Sequence, residues 1–333
     1  MELLKKLTTC ISPSGREDEI RNIITNELEV FCDEIYSDTL GNLICHKKGK
    51  GKKLMLAAHM DEIGFMVTFI DDNGFLRFAA VGGINRFNAI DSTVQFTNGT
   101  VGKISIETKE KISEAGFDKM YIDIGCTSKE DAEKLVKIGD FAGYTSAFYE
   151  MNNRILSKSL DDRAGCWALI KAMKALKNSP NDIYAVFTVQ EEVGTRGART
   201  AASLIKPDMA IAIDVSFSGD TPNSAEINPV MGKGPAVKIK DASFIINESV
   251  KNLLIDSAKK SSVPYQLEAT NRGGTDAGAM QLTGSGCSAG TISIPTRYIH
   301  STTEVIDKAD LESTAKLVKA IMETDIEGYL FQY

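Results

Sequence analysis

The chain has 333 residues, 43% hydrophobic and 25% charged, with 38 basic against 45 acidic side chains and a net charge of −7. This is the composition of a globular protein long enough for one large α/β domain, or for such a domain plus a smaller one. The acidic balance argues against a nucleic-acid partner. No apolar run is long enough to cross a membrane, the N-terminus lacks the apolar stretch of an export signal, and the six scattered cysteines, with no C-x-x-C pair, read as reduced thiols of a cytoplasmic protein.

Turn and cap residues at 12–17 (SPSGRE) lead into an amphipathic helix over residues 16–31, where Ile20, Ile23, Ile24, Leu28 and Val30 recur mostly at helical spacing. Two strands follow around 35–45, turning at Leu40-Gly41-Asn42. The basic, glycine-rich stretch 47–53 reads as a solvated loop. Residues 53–59 then form a short apolar strand that ends in His59, with Asp61 two residues on. From 64 to about 144 the texture changes. Short β-like runs alternate with Gly, Asn and Asp turns, broken by one short helix near 129–136, as in a small β-barrel or compact β module. After 152 long α/β alternation returns, with helices expected over 161–177, 195–204, 249–260 and 308–324 and strands at 183–190, 209–214 and 289–294. The expected fold is therefore α/β: a mixed-sheet, three-layer α/β/α domain built from residues 1–64 and 152–333, with a β-barrel-like domain inserted at 65–151.

The strand at 183–190 ends in two adjacent carboxylates, Glu191 and Glu192. Two charges so close to an apolar element repel one another and lose water. The pair is useful if one member binds a cation and the other handles a proton, as in metal-assisted hydrolysis. Other groups of the same kind stand at expected strand ends: His59 with Asp61, Asp214, and His300 beyond the strand at 289–294, while Asp161 and Asp162 precede a helix. In open α/β sheets ligands gather beyond the carboxyl ends of the strands, so these groups can converge. Two imidazoles with several carboxylates suit Zn²⁺, Co²⁺ or Mn²⁺. Of three histidines, only His46, beside Lys47 and Lys48, falls outside this pattern. There is no H-E-x-x-H, no G-x-S-x-G and no G-x-x-x-x-G-K-[ST], which removes a thermolysin-like site and argues against a serine-hydrolase elbow and a P-loop.

Six ordered motifs are AAHMDEIG at 57–64, LDDRAG at 160–165, VQEEVG at 189–194, IDV at 213–215, GGTDA at 273–277 and IPTRYIHS at 294–301. In this set the chain resembles the M42 family of dinuclear metal aminopeptidases, which includes glutamyl aminopeptidase- and cellulase-M-like members and is known for tetrahedral, TET-type assemblies. M20-type relatives carry their extra domain between the fourth and fifth ligands, whereas here the β-rich stretch lies early, between His59 and Asp161, as in M42. The resemblance implies that His59 and Asp214 hold one divalent ion, that Glu192 and His300 hold a second, and that Asp161 bridges the two. Zn or Co is the expected metal, with Mn as a third choice. It further implies that Glu191 is the general base for a metal-bridging water, that Asp61 orients His59, and that the Asp161–Asp162 peptide is cis. Asp276 would meet the substrate's free α-amine or else cap the next helix. One departure from the family pattern is Ser301-Thr302-Thr303, where Ser-Pro-x is common. The implied function is removal of N-terminal residues from peptides with a free N-terminus, by a homo-oligomer in which dimers build a dodecamer through the inserted domain. Two alternatives remain: a deblocking or deacylase-type amidohydrolase on the same dinuclear site, and a non-catalytic self-assembling protein that kept the fold. Retention of both Glu191 and Glu192 speaks against the second. Glycoside cleavage by two carboxylates, the chemistry behind the cellulase label of some members, leaves the two histidines unexplained. The preferred N-terminal residue stays open among acidic, basic and aliphatic side chains.

Overall fold

The computed structural model describes residues 1–107, 111, 113–224 and 229–330. At its centre the strand Lys53–His59 pairs in parallel with Asp182–Thr188 on one side and with Met209–Phe217 on the other. Met209–Phe217 pairs in parallel with Ser288–Arg297. These strands are apolar runs buried on both faces, the condition under which parallel strands are found. Antiparallel strands extend the sheet outward. Leu43–Lys47 and Glu34–Ser37 lie beyond Asp182–Thr188, and Glu304–Asp307, Arg154–Ser157 and Tyr149–Met151 lie beyond Ser288–Arg297. The sheet is thus mixed, as expected. Helix Leu160–Ala175, buried along nearly its whole length, packs on the central strands and on helix Lys308–Met322. No helix among the described residues is long and apolar enough to cross a membrane.

Between Gly64 and Tyr144 six strands close a barrel in the order Gly64–Ile70, Leu76–Val81, Met120–Asp123, Val101–Ile106, Thr93–Phe96, Phe141–Tyr144. Closure leaves no unpaired sheet edge. The barrel has its own core, in which Phe65 meets the rings of Phe78 and Tyr144 edge-on. A larger core fills the rest of the molecule around the mixed sheet.

Several elements differ from the sequence reading. The helix expected over 16–31 is the shorter Asp18–Leu28, and an additional helix, Glu2–Thr9, precedes it and buries Leu4 and Leu7. Strands Ala236–Lys240 and Gln266–Ala269 are also additional. They run over only five and four residues, too short for a periodic signal, and the first buries three consecutive positions rather than alternating.

The direction in which the chain leaves Asp182–Thr188 is fixed by Asn42. Its buried amide accepts from Val189 N at 3.0 Å and donates to Gly197 O at 3.0 Å. A Cβ on Gly197 would stand 2.2 Å from Asn42 Oδ1, so only glycine lets the two segments approach. This tie sets where Glu191 and Glu192 begin. Asn42→Ala leaves the buried Val189 N–H unpaired, while Gly197 O keeps its bond from Thr200 Oγ1, and is expected to cost about 1–3 kcal/mol. Urea unfolding checks this, and a loss below about 0.5 kcal/mol would contradict the role given to Asn42.

Candidate metal centre

His59 is the last residue of its strand and is buried. Its Nε2 lies 2.9 Å from Asp161 Oδ1, and its Nδ1 lies 3.4 Å from Asp61 Oδ1. The other oxygen of Asp161, Oδ2, lies 3.3 Å from His300 Nε2, which is itself 2.9 Å from Glu192 Oε2. Asp161 therefore stands between two imidazoles. Potential donor atoms of His59, Asp161 and Asp214 lie within 4.8 Å of one another, and so do those of Asp161, Glu192 and His300. These are two three-residue clusters with one shared carboxylate. The five residues expected to hold metal come together, with Glu191 in the same cavity wall and outside both clusters.

Local backbone geometry accompanies this convergence. Ser159 takes a left-handed conformation (φ 53°) just before Asp161, and the Asp161–Asp162 peptide is cis. Glu304 ties two distant segments together: its Oε2 accepts from Asp161 N at 2.8 Å and its Oε1 from His300 N at 3.0 Å. His300 Nδ1 lies 3.0 Å from Gly83 O, in the loop that leaves barrel strand Leu76–Val81. A carbonyl only accepts, so Nδ1 carries the proton and the Nε2 lone pair is left for a cation. Asp61 does more than face His59. It accepts from Ser14 Oγ at 2.6 Å, from Glu191 N at 3.0 Å and from Glu192 N at 3.2 Å. Asp276 is buried, accepts from Thr188 Oγ1 at 2.5 Å, and does not line the cavity. It is the first residue of helix Asp276–Gln281, whose N-cap is Thr275.

The electrostatics show an unmet need for positive charge. Burial lowers His59, but the carboxylates of Asp161 and Asp61 outweigh it and hold the imidazole well above its ordinary range. For His300 burial is likewise overcome, by Asp161 and Glu192, and the ring is pushed up to about 12. Burial opposes ionisation of Asp161, yet the two imidazoles hold it far below the usual carboxylate range. The remaining acids move the other way. Burial drives Asp214 up to about 7, lifts Glu192, and holds Glu191 and Asp162 well above the carboxylate range. Both Nε2 atoms face carboxylate oxygens rather than backbone acceptors, so a cation can take the place of the proton between them. A donor set of two imidazoles and three carboxylates fits divalent Zn, Co or Mn.

The clusters line a cavity of ≈ 650 Å³. Its lining also includes Lys238, 3.7 Å from Glu268 Oε1, on the two short strands that the sequence reading missed, and Arg272. Glu304, Gly83, Ser14 and Lys238 were also missed. Glu304 had a signal, since it follows His300 by four residues. The others act through contacts between segments far apart in sequence.

The family model described as M42 glutamyl aminopeptidase matches residues 41–317. The chain belongs to the M42 peptidase family. A protein of Acetivibrio thermocellus described as an aminopeptidase is 52% identical over 95% of this chain and 96% of its own length. The lysyl aminopeptidase of Pyrococcus furiosus is 37% identical over 97% and 96%. Among solved structures, the Pyrococcus horikoshii TET1 peptidase, reported to assemble into a tetrahedron or a large octahedral shell, superposes with a TM-score of 0.87 at 34% identity, over 96% of this chain and 98% of that one. The M42 chain is accordingly an aminopeptidase of the hydrolase class with a mixed α/β fold and a closed six-stranded barrel.

The shifts give the metal-free protein a direction with pH. Burial raises Asp214 to about 7, Asp276 to about 6 and Glu304 to about 8, from ordinary values of 3.8, 3.8 and 4.5. A carboxyl that binds its proton more tightly when folded contributes stability in full below its unfolded pKa and loses it as pH rises through the folded value. His300, raised from 6.5 to about 12, acts in the same sense above 6.5, whereas the lowered Asp161 acts only in more acid solution. The urea midpoint of chelator-treated protein is therefore expected to fall between about pH 5 and pH 8, and less steeply once Zn²⁺ or Co²⁺ is restored. A flat or rising profile in chelator would contradict this account.

Proposed function

We propose that this M42 chain removes N-terminal residues from peptides with a free N-terminus, using two divalent ions and Glu191 as general base. The observation that carries the proposal is Asp161, shared by two imidazole–carboxylate clusters in a cavity whose wall also holds Glu191. His59 and Asp214 would hold one ion, Glu192 and His300 the other, with Asp161 common to both. Zn or Co suits the donors best, and Mn is also compatible. When bound, such ions supply Lewis acidity and a water able to lose a proton near neutrality. Glu191 takes the proton from the attacking water and returns it to the leaving amine. Burial, which lifts Glu191 well above the carboxylate range, suits a group that must both accept and release a proton. Asp61 keeps His59 and the Glu191–Glu192 turn in register.

The proposal includes assembly. The Pyrococcus horikoshii neighbour can assemble into a tetrahedron or a large octahedral shell. The inserted barrel exposes large apolar side chains, Phe69, Val101, Leu135 and Ile138 among them, and Phe87 stands exposed on the short helix Arg86–Ala89 between two barrel strands. Apolar side chains left open in this way are the material of protein contacts. A dodecamer built from dimers, with residues 65–151 at the contacts, is the expected form. A cytoplasmic setting accords with six free cysteines.

Glu191→Gln is expected to keep fold and metal while losing about 10²–10⁴-fold in turnover on aminoacyl chromogenic substrates. Undiminished turnover would sink the base assignment. Chelation is expected to abolish activity and Zn²⁺ or Co²⁺ to restore it, and full activity with one ion per chain would refute the bridge. Light scattering is expected to give a mass near twelve chains of 36.2 kDa; a stable, active monomer would overturn the assembly.

A further inference from the structure

Residues 12–17 run from the base of the barrel to the turn that carries Glu191. Ser12 N donates to Glu62 Oε1 at 2.7 Å, Ser14 Oγ to Asp61 Oδ2 at 2.6 Å, and the Arg16 guanidinium lies 4.6 Å from the centre of the Phe141 ring. The segment ends in Glu17, a carboxyl only 4% exposed. Glu17 Oε1 accepts from Gly15 N at 2.6 Å and from Gln190 N at 3.2 Å.

The Gln190 contact matters because of the backbone there. Gln190 is a non-glycine residue in the left-handed region, with φ 54°. Such a conformation persists only where neighbouring contacts hold it. The next two amides, of Glu191 and Glu192, both donate to Asp61. Three consecutive N–H groups therefore end on two buried carboxylates, and Glu17 takes the first, at the strained residue. Rotation about the Gln190 backbone swings the Glu191 side chain relative to Asp161, His59 and His300. A buried carboxyl is a costly way to satisfy an amide unless the position of that amide matters.

We propose that Glu17 is a positioning residue for the reaction: by accepting the Gln190 N–H it holds the left-handed turn that aims the Glu191 carboxylate at the two clusters. The inference rests on Glu191 being the base. What is required of Glu17 is an acceptor oxygen at this place rather than a charge.

The test is steady-state kinetics on an aminoacyl chromogenic substrate with the assembled, metal-loaded protein, together with metal content and light scattering. Glu17→Ala is expected to lower kcat at least about tenfold with KM within about threefold and with metal content and mass unchanged. Glu17→Gln, which keeps the oxygen, is expected to recover to within about threefold of the parent. In a Glu191→Gln background, Glu17→Ala is expected to cost less than about threefold more, because the group it aims is already disabled. Should Glu17→Ala not assemble, Glu17→Asp, which withdraws the oxygen by one methylene, carries the same expectations. A loss of the same factor in the Glu191→Gln background, or a joint fall of kcat, KM and metal content, would assign Glu17 to general stability and overturn the proposal. If Glu191→Gln alone matched the parent, the base assignment would be what failed, independently of how Glu17→Ala behaved.

Discussion

Asp161 offers one oxygen to His59 and the other to His300, and these histidines come from opposite ends of the chain. For one carboxylate to serve both, the central parallel strand, the start of helix Leu160–Ala175 and the loop after Ser288–Arg297 must meet at a single point. The parallel sheet makes this possible, because it delivers the carboxyl ends of Lys53–His59, Asp182–Thr188 and Met209–Phe217 to the same edge. The left-handed residues at Ser159, Gln190 and His300 then turn the chain inward where regular strand or helix geometry would carry it past.

Behind the residues that face the cavity lies a layer of buried acids that act mainly on backbone. Asp61 accepts the amides of Glu191 and Glu192, Glu304 those of Asp161 and His300, and Glu17 that of Gln190. Glu62 accepts from Ser12 N, and Lys158 and Ser159 also donate to it, pinning the turn before Asp161. Backbone amides cannot rotate away as side chains can, so a carboxylate that grips them fixes a loop more firmly than a contact between two side chains. Burial drives Glu17 up to about 7 and Glu304 up to about 8, whereas against the same burial His59 holds Asp61, and Lys158 with Arg163 hold Glu62, below the usual carboxylate range.

How much of this could be read from the sequence follows from which interactions are local. The strand around LMLAAH and the strand around MAIAID were legible because each is a continuous apolar run ending in a polar residue. The change of texture after residue 64 was legible for the same reason, since closely spaced turns mark a barrel. His59, Glu191, Glu192, Asp214 and His300 could be picked out because acid or imidazole at or just past a strand end is conspicuous, and Asp161 because it and Asp162 are paired acids at the start of a helix. Gly83 could not, because what it supplies is a backbone carbonyl, which every residue has. Lys238 and Glu268 face one another only through the pairing of Ala236–Lys240 with Gln266–Ala269. Register between short strands is set by the assembled sheet and leaves little trace in either strand.

The contact between Gly83 and His300 joins two parts of the molecule that otherwise have separate cores. Through it, a loop of the barrel decides which nitrogen of an imidazole in the other part is free to bind. A Cβ at Gly83 would stand 2.9 Å from that ring, so the loop has almost no slack. The barrel cannot be trimmed away, nor exchanged for another of the same outline, as though it were an accessory. A variant that moves the Gly83 carbonyl withdraws the acceptor that keeps the proton on His300 Nδ1, and a chain cut at the sheet boundary would lack that contact altogether.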